Sequence, residues 1–151
     1  MKIQIVATIS TDGYLLKREN KTKNKISLCK YGFNTLQKRA DLMLHKESSL
    51  ITLLEEKRQS SDTNYLVEAT PETLDLIKGL FLYRLADELI LYMMPCPKEN
   101  GIGLFDLTSP SDWILEKESS IRDTFRCLIY HRIKQKDSSS SIESASLPYK
   151  M

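Results

Sequence analysis

Two side chains suited to chemistry follow short apolar segments of this sequence. His45 comes directly after residues 40–44, and Glu68 comes after residues 65–67. Because ligands of α/β proteins bind where strands end, His45 is a candidate for ligand binding. The Glu68 carboxylate can accept hydrogen bonds from a ribose or from a substrate amine. Both residues also have a purely structural interpretation, His45 as a hydrogen-bonded structural histidine and Glu68 as a capping or structural carboxylate, and the sequence leaves both open.

No catalytic residue and no metal site can be identified. The three cysteines, Cys29, Cys96 and Cys127, are far apart and form no Cys-x-x-Cys pair. This spacing argues against zinc ligation and against a disulfide framework. No serine or cysteine lies in a nucleophile elbow with a histidine partner. The sequence therefore predicts no metal and leaves the catalytic residues unknown.

A basic segment at residues 17–25 contains Lys17, Arg18, Lys21, Lys23 and Lys25. It can contact a nucleic acid or a phosphorylated ligand, but a charge run of this size is more often a solvated loop. The formal net charge of +2 is too small to indicate a nucleic-acid partner. No apolar run approaches the roughly 20 residues of a membrane span, and the first ten residues lack a signal-peptide core. We therefore expect a cytoplasmic protein without a membrane or nucleic-acid partner.

Strands alternate with helices along the sequence and are followed by a hairpin. The 151 residues favour one domain, which we place at residues 1–135, with a serine-rich and disordered tail at 136–151. Ser48 or Ser49 and Thr70 are the expected helix N-caps, the latter with Pro71 at the first helical position. Strands are predicted at residues 2–9, 40–44, 65–67 and 89–94, helices at 31–39, 50–58 and after 70, and an antiparallel hairpin at 113–118 and 124–133. The residues 40–44 are expected to form a core strand. The sequence thus predicts an α/β domain with a mixed sheet flanked by helices.

Five segments resemble a known family in the family's own order. They are Ile5 to Gly13 (IVATISTDG), Leu36 to Leu44 (LQKRADLML), Tyr65 to Pro71 (YLVEATP), Ala86 to Leu91 (ADELIL), and Pro95 with Gly101 to Phe105 (GIGLF). Together they resemble the reductase domain of riboflavin biosynthesis, the C-terminal domain of RibD, in the dihydrofolate reductase-like family. The resemblance runs from residue 3 to about residue 133 and leaves out the tail.

This resemblance implies an oxidoreductase with NADPH as hydride donor, a small heterocyclic substrate such as a pyrimidine or pterin, and a homodimer. In such an enzyme the cofactor carries the chemistry and the protein supplies binding and orientation. By position, the implied substrate-binding residues are Asp12, Gly13 and His45. The implied cofactor-binding residues are Ala7, Lys46, Ser49, Glu68, Ala69, Thr70 and Gly103.

Two departures from the family concern the cofactor phosphates. The family has Gly-Gly where a strand turns into a helix, so that bare backbone can approach the diphosphate, and here the positions are Ala69 and Thr70. Its Gly-x-x-Thr becomes Lys46 to Ser49 here, and only about 15 residues separate Ser49 from Tyr65. The cofactor lobe is therefore expected to be shortened. Two hypotheses remain, a reductase with altered phosphate motifs and a non-catalytic descendant that acts as a binding or dimerisation module.

Overall fold

The computed structural model describes residues 1–16, 33–121 and 125–133, and their strands form one sheet. The elements are β1 (Lys2–Ile9), α1 (Phe33–Arg39), β2 (Leu42–Met43), α2 (Leu50–Arg58), β3 (Asn64–Glu68), α3 (Leu74–Leu82), β4 (Glu88–Met93), β5 (Trp113–Ile121) and β6 (Phe125–Arg132). The basic segment at residues 17–25, the domain boundary at 135 and the serine-rich tail lie outside the described residues. No helix among the described residues is long and apolar enough to cross a membrane.

The sheet is mixed and has the order β2-β3-β1-β4-β6-β5. β1 lies parallel to β3 and β4, and β2 lies parallel to β3. β6 pairs antiparallel with both β4 and β5. β6 and β5 therefore form the side of the sheet opposite β2. This arrangement confirms the predicted mixed α/β sheet and its C-terminal antiparallel hairpin. β1 lies near the centre because its β-branched run is apolar on both faces.

The two faces of β1 belong to two cores. Ile3, Ile5 and Ile9 pack on the side of α2 and α3, in a cluster that includes Leu53 and Ile77. Val6 points to the opposite face, because successive side chains of a strand alternate. There it packs with Leu66 and Ile90, against Leu36 and Ala40 at the end of α1. The helices therefore cover both faces of the parallel part of the sheet.

β2 is an edge strand rather than the expected core strand. Leu42 is 56% exposed and Met43 is 41% exposed, and only Leu44 of this segment is buried. The apolar run predicted a core strand wrongly because hydrophobicity does not reveal whether a neighbouring strand exists. α2 is the only helix or strand between β2 and β3, so the described sheet ends at β2 on this side. The connection between β2 and β3 therefore contains one helix and no strand.

The helix starts were predicted with mixed success. Ser49 is the N-cap of α2, and its Oγ accepts a hydrogen bond from the Thr52 N–H at 3.2 Å. α3 begins at Leu74 with Thr73 as its N-cap, not at Pro71 with Thr70 as its N-cap. The Thr70 prediction was wrong because residues 71–73 form a turn that precedes the helix. The hydroxyl groups of Thr70 and Thr73 stabilise this turn, as described below.

A close contact between α2 and α3 depends on a glycine. A Cβ atom added to Gly79 would lie 2.3 Å from Cδ1 of Leu50, the first residue of α2. Real Cβ atoms do not approach another carbon so closely, so any side chain at position 79 must displace Leu50. Gly79 is fully within α3, where glycine is otherwise unfavourable. Its presence is therefore explained by the packing of the two helices.

We expect Gly79→Ala to gain clearly less than the roughly 1 kcal/mol that alanine adds in helix propensity, because the added methyl group must displace the side chain of Leu50. In a Leu50→Ala background the same substitution should stabilise by the full gain in helix propensity, up to about 1 kcal/mol. Urea unfolding of the four proteins measures both values. Equal effects of Gly79→Ala in the two backgrounds would contradict this account.

Candidate functional site

The carboxyl ends of β1, β2, β3 and β4 meet at one edge of the sheet, where α/β proteins bind ligands. The segments that follow them are residues 10–13, 44–49, 69–73 and 94–103. This edge gathers most of the residues that the sequence singled out. β3 separates β2 from β1, so the residues after these two strands are about 10 Å apart, two strand spacings. A ligand contacting both His45 and Gly13 must therefore lie across the end of β3.

The Asp12 carboxylate is engaged by the protein itself. It accepts a hydrogen bond from the Ser10 hydroxyl and from the backbone N–H groups of Lys98 (3.1 Å) and Glu99 (2.8 Å). The Ser10 hydroxyl first, and then these amides, lower the pKa of Asp12 to about 2. The carboxylate therefore stays ionised and holds the loop after β4 against the turn after β1. This geometry favours the structural interpretation of Asp12 over substrate binding.

The turn and the loop after β4 are connected by further backbone hydrogen bonds. Gly13 has a φ of +89°, which glycine adopts without strain. Its carbonyl accepts from the Leu104 N–H at 3.2 Å, and Tyr14 forms an isolated bridge with Gly103. Gly13 and Gly103 thus lie close together. The structure brings these two predicted residues to one side of the cleft.

Gly103 lies against the side chain of Asp106. A Cβ atom at this position would lie 2.4 Å from Oδ2 of Asp106, whose N–H also donates to the Gly103 carbonyl at 3.1 Å. Gly103 has an extended backbone and precedes a single short 3-10 turn, Leu104–Asp106. The Gly-x-Gly sequence therefore lacks the strand-to-helix context of a phosphate-binding loop. A side chain at position 103 would therefore require the exposed Asp106 carboxylate to move.

His45 lies in an exposed turn between β2 and α2. Its N–H donates to the Ser48 Oγ at 2.9 Å, and its Nδ1 accepts from the Glu47 N–H at 3.3 Å. A neutral His45 therefore carries its proton on Nε2, which can donate to a ligand. Lys46 is exposed in the same turn. Ser49 uses its oxygen to cap α2, and its hydroxyl proton can still be donated.

Backbone amides at the junction of β3 and α3 are used by the protein. The Ala69 N–H donates to the Val6 carbonyl at 2.8 Å, and the Thr70 N–H donates to Thr73 Oγ1 at 2.9 Å. The Thr73 N–H donates to the Thr70 carbonyl at 3.1 Å, and Thr73 Oγ1 donates to the Glu68 carbonyl at 2.7 Å. At this strand-helix junction, threonine oxygen atoms thus accept hydrogen bonds from N–H groups that could otherwise bind a ligand.

Two predicted cofactor residues are buried. Ala69 is 2% exposed and Ala7 is 1% exposed, and both methyl groups belong to the core on the side of α2 and α3. The Ala69 methyl group therefore does not stand between a cofactor and the backbone, contrary to what its replacement of glycine suggested. The side chain of Thr70 is only partly buried and remains at the surface of the junction. Any obstruction to phosphate at this junction therefore comes from Thr70 and Thr73.

These contacts test whether the residues fit a diphosphate. The backbone N–H groups of Ala69, Thr70 and Thr73 are not free to bind a diphosphate, because each already donates to an acceptor within the protein. Among the described residues, the donors at this edge include the Lys46 ammonium group, the Ser49 hydroxyl group and the Thr70 hydroxyl group, which also lies 3.3 Å from Thr73 Oγ1. The first turn of α3 adds backbone donors, opposed by the nearby charge of Asp75. The site fits phosphate through side chains, with fewer backbone donors than a glycine loop provides.

Asp87, which the family resemblance singled out, lies at the opposite edge of the sheet. Its Oδ2 accepts from the Ile3 N–H at 2.8 Å, and its carbonyl accepts from the Arg132 N–H at 3.0 Å. Burial raises the pKa of this carboxyl group above its ordinary value. Asp87 therefore connects β1, β4 and β6 far from the ligand edge. Trp113 also lies at that opposite edge, with its ring against the Arg132 guanidinium.

Sequence reasoning missed Ser10 and Lys98 at the site. Ser10 is fully buried and its Oγ accepts from the Tyr14 N–H at 3.0 Å, while it donates to Asp12. The Ser10-x-Asp12 spacing is a local signal that could have identified this turn. Lys98 Nζ donates to the Leu15 carbonyl at 3.0 Å across 83 residues of sequence. No local pattern predicts a contact of that kind.

The sequence matches no family model and no curated protein. Solved structures, in contrast, match across most of the chain. RibD of Acinetobacter baumannii gives a TM-score of 0.62 at 11% identity over 88% of this chain. The diaminohydroxyphosphoribosylaminopyrimidine deaminase/5-amino-6-(5-phosphoribosylamino)uracil reductase of Thermotoga maritima gives 0.60 at 8% identity over 87%. A Shewanella sp. PV-4 protein described as a riboflavin biosynthesis protein gives 0.51 at 18% identity over 89% of this chain and 100% of its own.

These similarities show the fold. The chain has the dihydrofolate reductase-like α/β fold that is found in riboflavin-pathway reductases, as its sequence resemblance implied. It spans only 58% of the Acinetobacter chain and 56% of the Thermotoga chain, the latter described as a deaminase and a reductase together. At identities of 8–18% the matches extend to the fold alone.

We expect Asp12→Asn to destabilise the protein at pH 7, because the amide replaces an ionised acceptor of three hydrogen bonds. The pKa of Asp12 is lowered from 3.8 to about 2, so its contribution is present above pH 4 and is lost as the pH falls toward 2. Urea unfolding at pH 7, 4 and 2.5 should show the difference between wild type and variant shrinking with pH.

Glu72→Gln is the matched control for this experiment, since Glu72 is exposed and lies outside the turn after β1 that contains Asp12. A stability difference for Asp12→Asn that stays constant from pH 7 to pH 2.5 would argue against an ionised role for this carboxylate.

Proposed function

We propose that this chain is an NADPH-dependent reductase of a pyrimidine- or pterin-like heterocycle, of the riboflavin-pathway type. The observation that supports it best is the fold, since a TM-score of 0.62 relates the chain to RibD of Acinetobacter baumannii. The Thermotoga structure is described as a reductase of a uracil derivative. The residues that the resemblance implies as ligand contacts also lie, for the most part, at one edge of the sheet. The proposal therefore assigns the cleft at that edge to the heterocycle and the cofactor.

In this proposal, residues of the chain bind and orient the two ligands. When it is bound, NADPH supplies the hydride for reduction of the ring. Lys46, Ser49 and Thr70 contact the cofactor phosphates through an ammonium group and two hydroxyl groups. His45 donates a hydrogen bond from Nε2 at the same edge, and the paired segments around Gly13 and Gly103 form the other side of the cleft. Asp12 acts indirectly, by holding the loop after β4 in place.

A second candidate is a non-catalytic member of the fold that serves as a binding or dimerisation module. The use of the junction amides by Thr70 and Thr73 favours it, because a diphosphate then loses backbone donors. So does the open edge formed by β5. Ile114 is 47% exposed and Leu115 is 43% exposed on this strand, which pairs only with β6 among the described strands. An unpaired edge of this kind is a template for a second strand.

We test the cofactor assignment with Lys46→Gln, and we expect the variant to bind NADPH about tenfold more weakly because a charge-assisted contact is lost. Wild type at 100 times its dissociation constant should gain about 2.7 kcal/mol, which is a thermal shift of about 5–10 °C. NADPH fluorescence and thermal unfolding are the measurements, because Trp113 lies at the wrong edge to report binding.

Lys78→Gln is the matched control, since Lys78 is exposed on α3 and lies within the helix rather than in the candidate site. No thermal shift of wild type at millimolar NADPH would remove the reductase proposal. Equal weakening by the two lysine substitutions would instead show that binding is non-specific attraction to positive charge.

For the second candidate function, dimerisation, we propose a homodimer whose interface is β5. Such a dimer would pair two β5 strands antiparallel about a two-fold axis. Ile114→Lys should then shift the protein from dimer to monomer in sedimentation velocity. Leu82→Lys, at a position 73% exposed on α3, is the control and should leave the sedimentation unchanged. A wild-type chain that sediments as a monomer at high micromolar concentration would disprove this interface.

A further inference from the structure

The hydroxyl group of Thr73 does not cap the helix that it precedes. Thr73 is the N-cap of α3, but its side chain makes no hydrogen bond to the helix. An N-cap threonine ordinarily accepts a hydrogen bond from an N–H group of the first helical turn, which has no acceptor within the helix. Thr73 Oγ1 instead contacts the end of β3, where it donates to the Glu68 carbonyl. The helix therefore begins without the side-chain cap that this threonine could supply.

Thr73 Oγ1 joins the two sides of the junction between β3 and α3. It accepts from the Thr70 N–H at 2.9 Å. Its proton lies closer to the Glu68 carbonyl, at 2.7 Å, than to the Thr70 carbonyl, at 3.3 Å. Because the single hydroxyl proton is donated to Glu68, a lone pair of the oxygen faces the Thr70 N–H. An oxygen of a bound phosphate has this role at a strand-helix junction, so Thr73 Oγ1 is an internal substitute for it.

Dissolved ions can reach this contact. Thr70 and Thr73 are half-buried, and the two residues between them, Pro71 and Glu72, are exposed. An anion in solution and the threonine hydroxyl group therefore compete for the same N–H group. The internal acceptor is favoured in this competition, because a dissolved anion loses translational and rotational freedom when it binds and a side chain of the same chain does not.

The charge of the segment also opposes an anion. Residues 68–75 contain three carboxylates and neither lysine nor arginine. A phosphate at this junction depends on backbone N–H groups, since no cationic side chain of the segment attracts it. The Ala69 N–H is already paired with β1 through the Val6 carbonyl. The Thr70 N–H is the next group along the chain, and Thr73 accepts from it.

We propose that the Thr73 hydroxyl group is a built-in competitor for the Thr70 N–H, which closes the junction of β3 and α3 to phosphate groups as long as this contact is made. The inference rests on the proposed function for the choice of a phosphate-containing ligand, and it adds the residue that limits its binding. Thr73 selects against ligands whose affinity depends on a diphosphate at this junction. A phosphate that lies against Lys46, in the segment after β2, is not subject to this competition.

The affinity test uses inorganic pyrophosphate as the probe and Thr73→Val, which keeps the shape of the side chain and removes the hydroxyl group. Isothermal titration calorimetry should show about tenfold tighter pyrophosphate binding to Thr73→Val than to wild type, because one backbone N–H becomes available to a charged acceptor. Thr73→Ser keeps the hydroxyl group and should bind as wild type does. Thr52→Val, at an exposed threonine of α2, is the matched control and should change nothing.

Hydrogen exchange of the Thr70 N–H, followed by NMR, reports the contact itself. In Thr73→Val this N–H should exchange about tenfold faster than in wild type, and pyrophosphate should slow it again. A threonine that only stabilises the turn would change the exchange rate without any response to pyrophosphate. Should Thr73→Val not fold, Thr73→Ala serves for both measurements, since alanine is the better helix former.

Two results would overturn the inference. One is equal pyrophosphate affinity of wild type and Thr73→Val, including undetectable binding to both. The other is a Thr70 N–H that does not respond to pyrophosphate in the variant. The thermal shift of wild type with NADPH is measured separately. Tighter pyrophosphate binding to Thr73→Val without an NADPH shift of wild type upholds the competitor and removes the reductase, and an NADPH shift with equal pyrophosphate affinities does the reverse.

Discussion

The burial of β1 on both faces, with a parallel strand on each edge, is the constraint on which the rest of the structure depends. Its odd-numbered side chains fill the core beneath α2 and α3, and Val6 fills the second core near α1. A strand in this position must be apolar throughout, and that requirement is met by residues 3–9 except at Gln4 and Thr8. Gln4 donates a hydrogen bond to the Glu88 carboxylate. Thr8 is the one of the two whose side chain has no such contact among the described residues.

The unequal lengths of the strands beside β1 create the ligand edge. β4 accompanies β1 to Ile9, whereas β3 leaves it at Val6, so the backbone of β1 beyond Val6 must find other partners. The chain supplies some of them itself, since the Leu16 N–H donates to the Thr8 carbonyl at 2.8 Å and the Ser10 N–H donates to the Tyr14 carbonyl at 2.9 Å. The turn after β1 is thereby folded back along the strand. Its shape, rather than any single reactive group, defines one wall of the cleft.

Competition for backbone N–H groups determines how strongly this edge of the sheet can bind an anion. A strand-helix junction offers donors to phosphate only while they have no internal acceptor. Here Thr73 accepts from Thr70 and Thr70 accepts from Thr73, so the turn stabilises itself. The same interactions that order residues 70–73 therefore weaken the junction as a phosphate site. Binding of a dinucleotide then depends on side chains such as Lys46, whose contribution is smaller and more sensitive to salt.

By itself, the sequence determined the class of fold and most of its elements. β1 and α2 have the bounds that hydrophobic periodicity and the Ser49 cap predicted, and the hairpin of β5 and β6 follows from its alternating side chains. The order of the family segments also indicated the sheet that the structure contains. These features are local, because spacing and capping act within a few residues. They were therefore readable without a structure.

Only the tertiary structure decided what the individual site residues do. Asp12 accepts from Lys98 and Glu99, 86 and 87 residues away, and Gly79 is required by Leu50 of another helix. The exposure of β2 and the unpaired hydroxyl group of Thr8 likewise depend on where β3 begins and ends beside its neighbours. Each of these is a contact, or a missing contact, between distant parts of the chain. A sequence specifies such contacts only through the complete packing of the fold, and no local pattern records them.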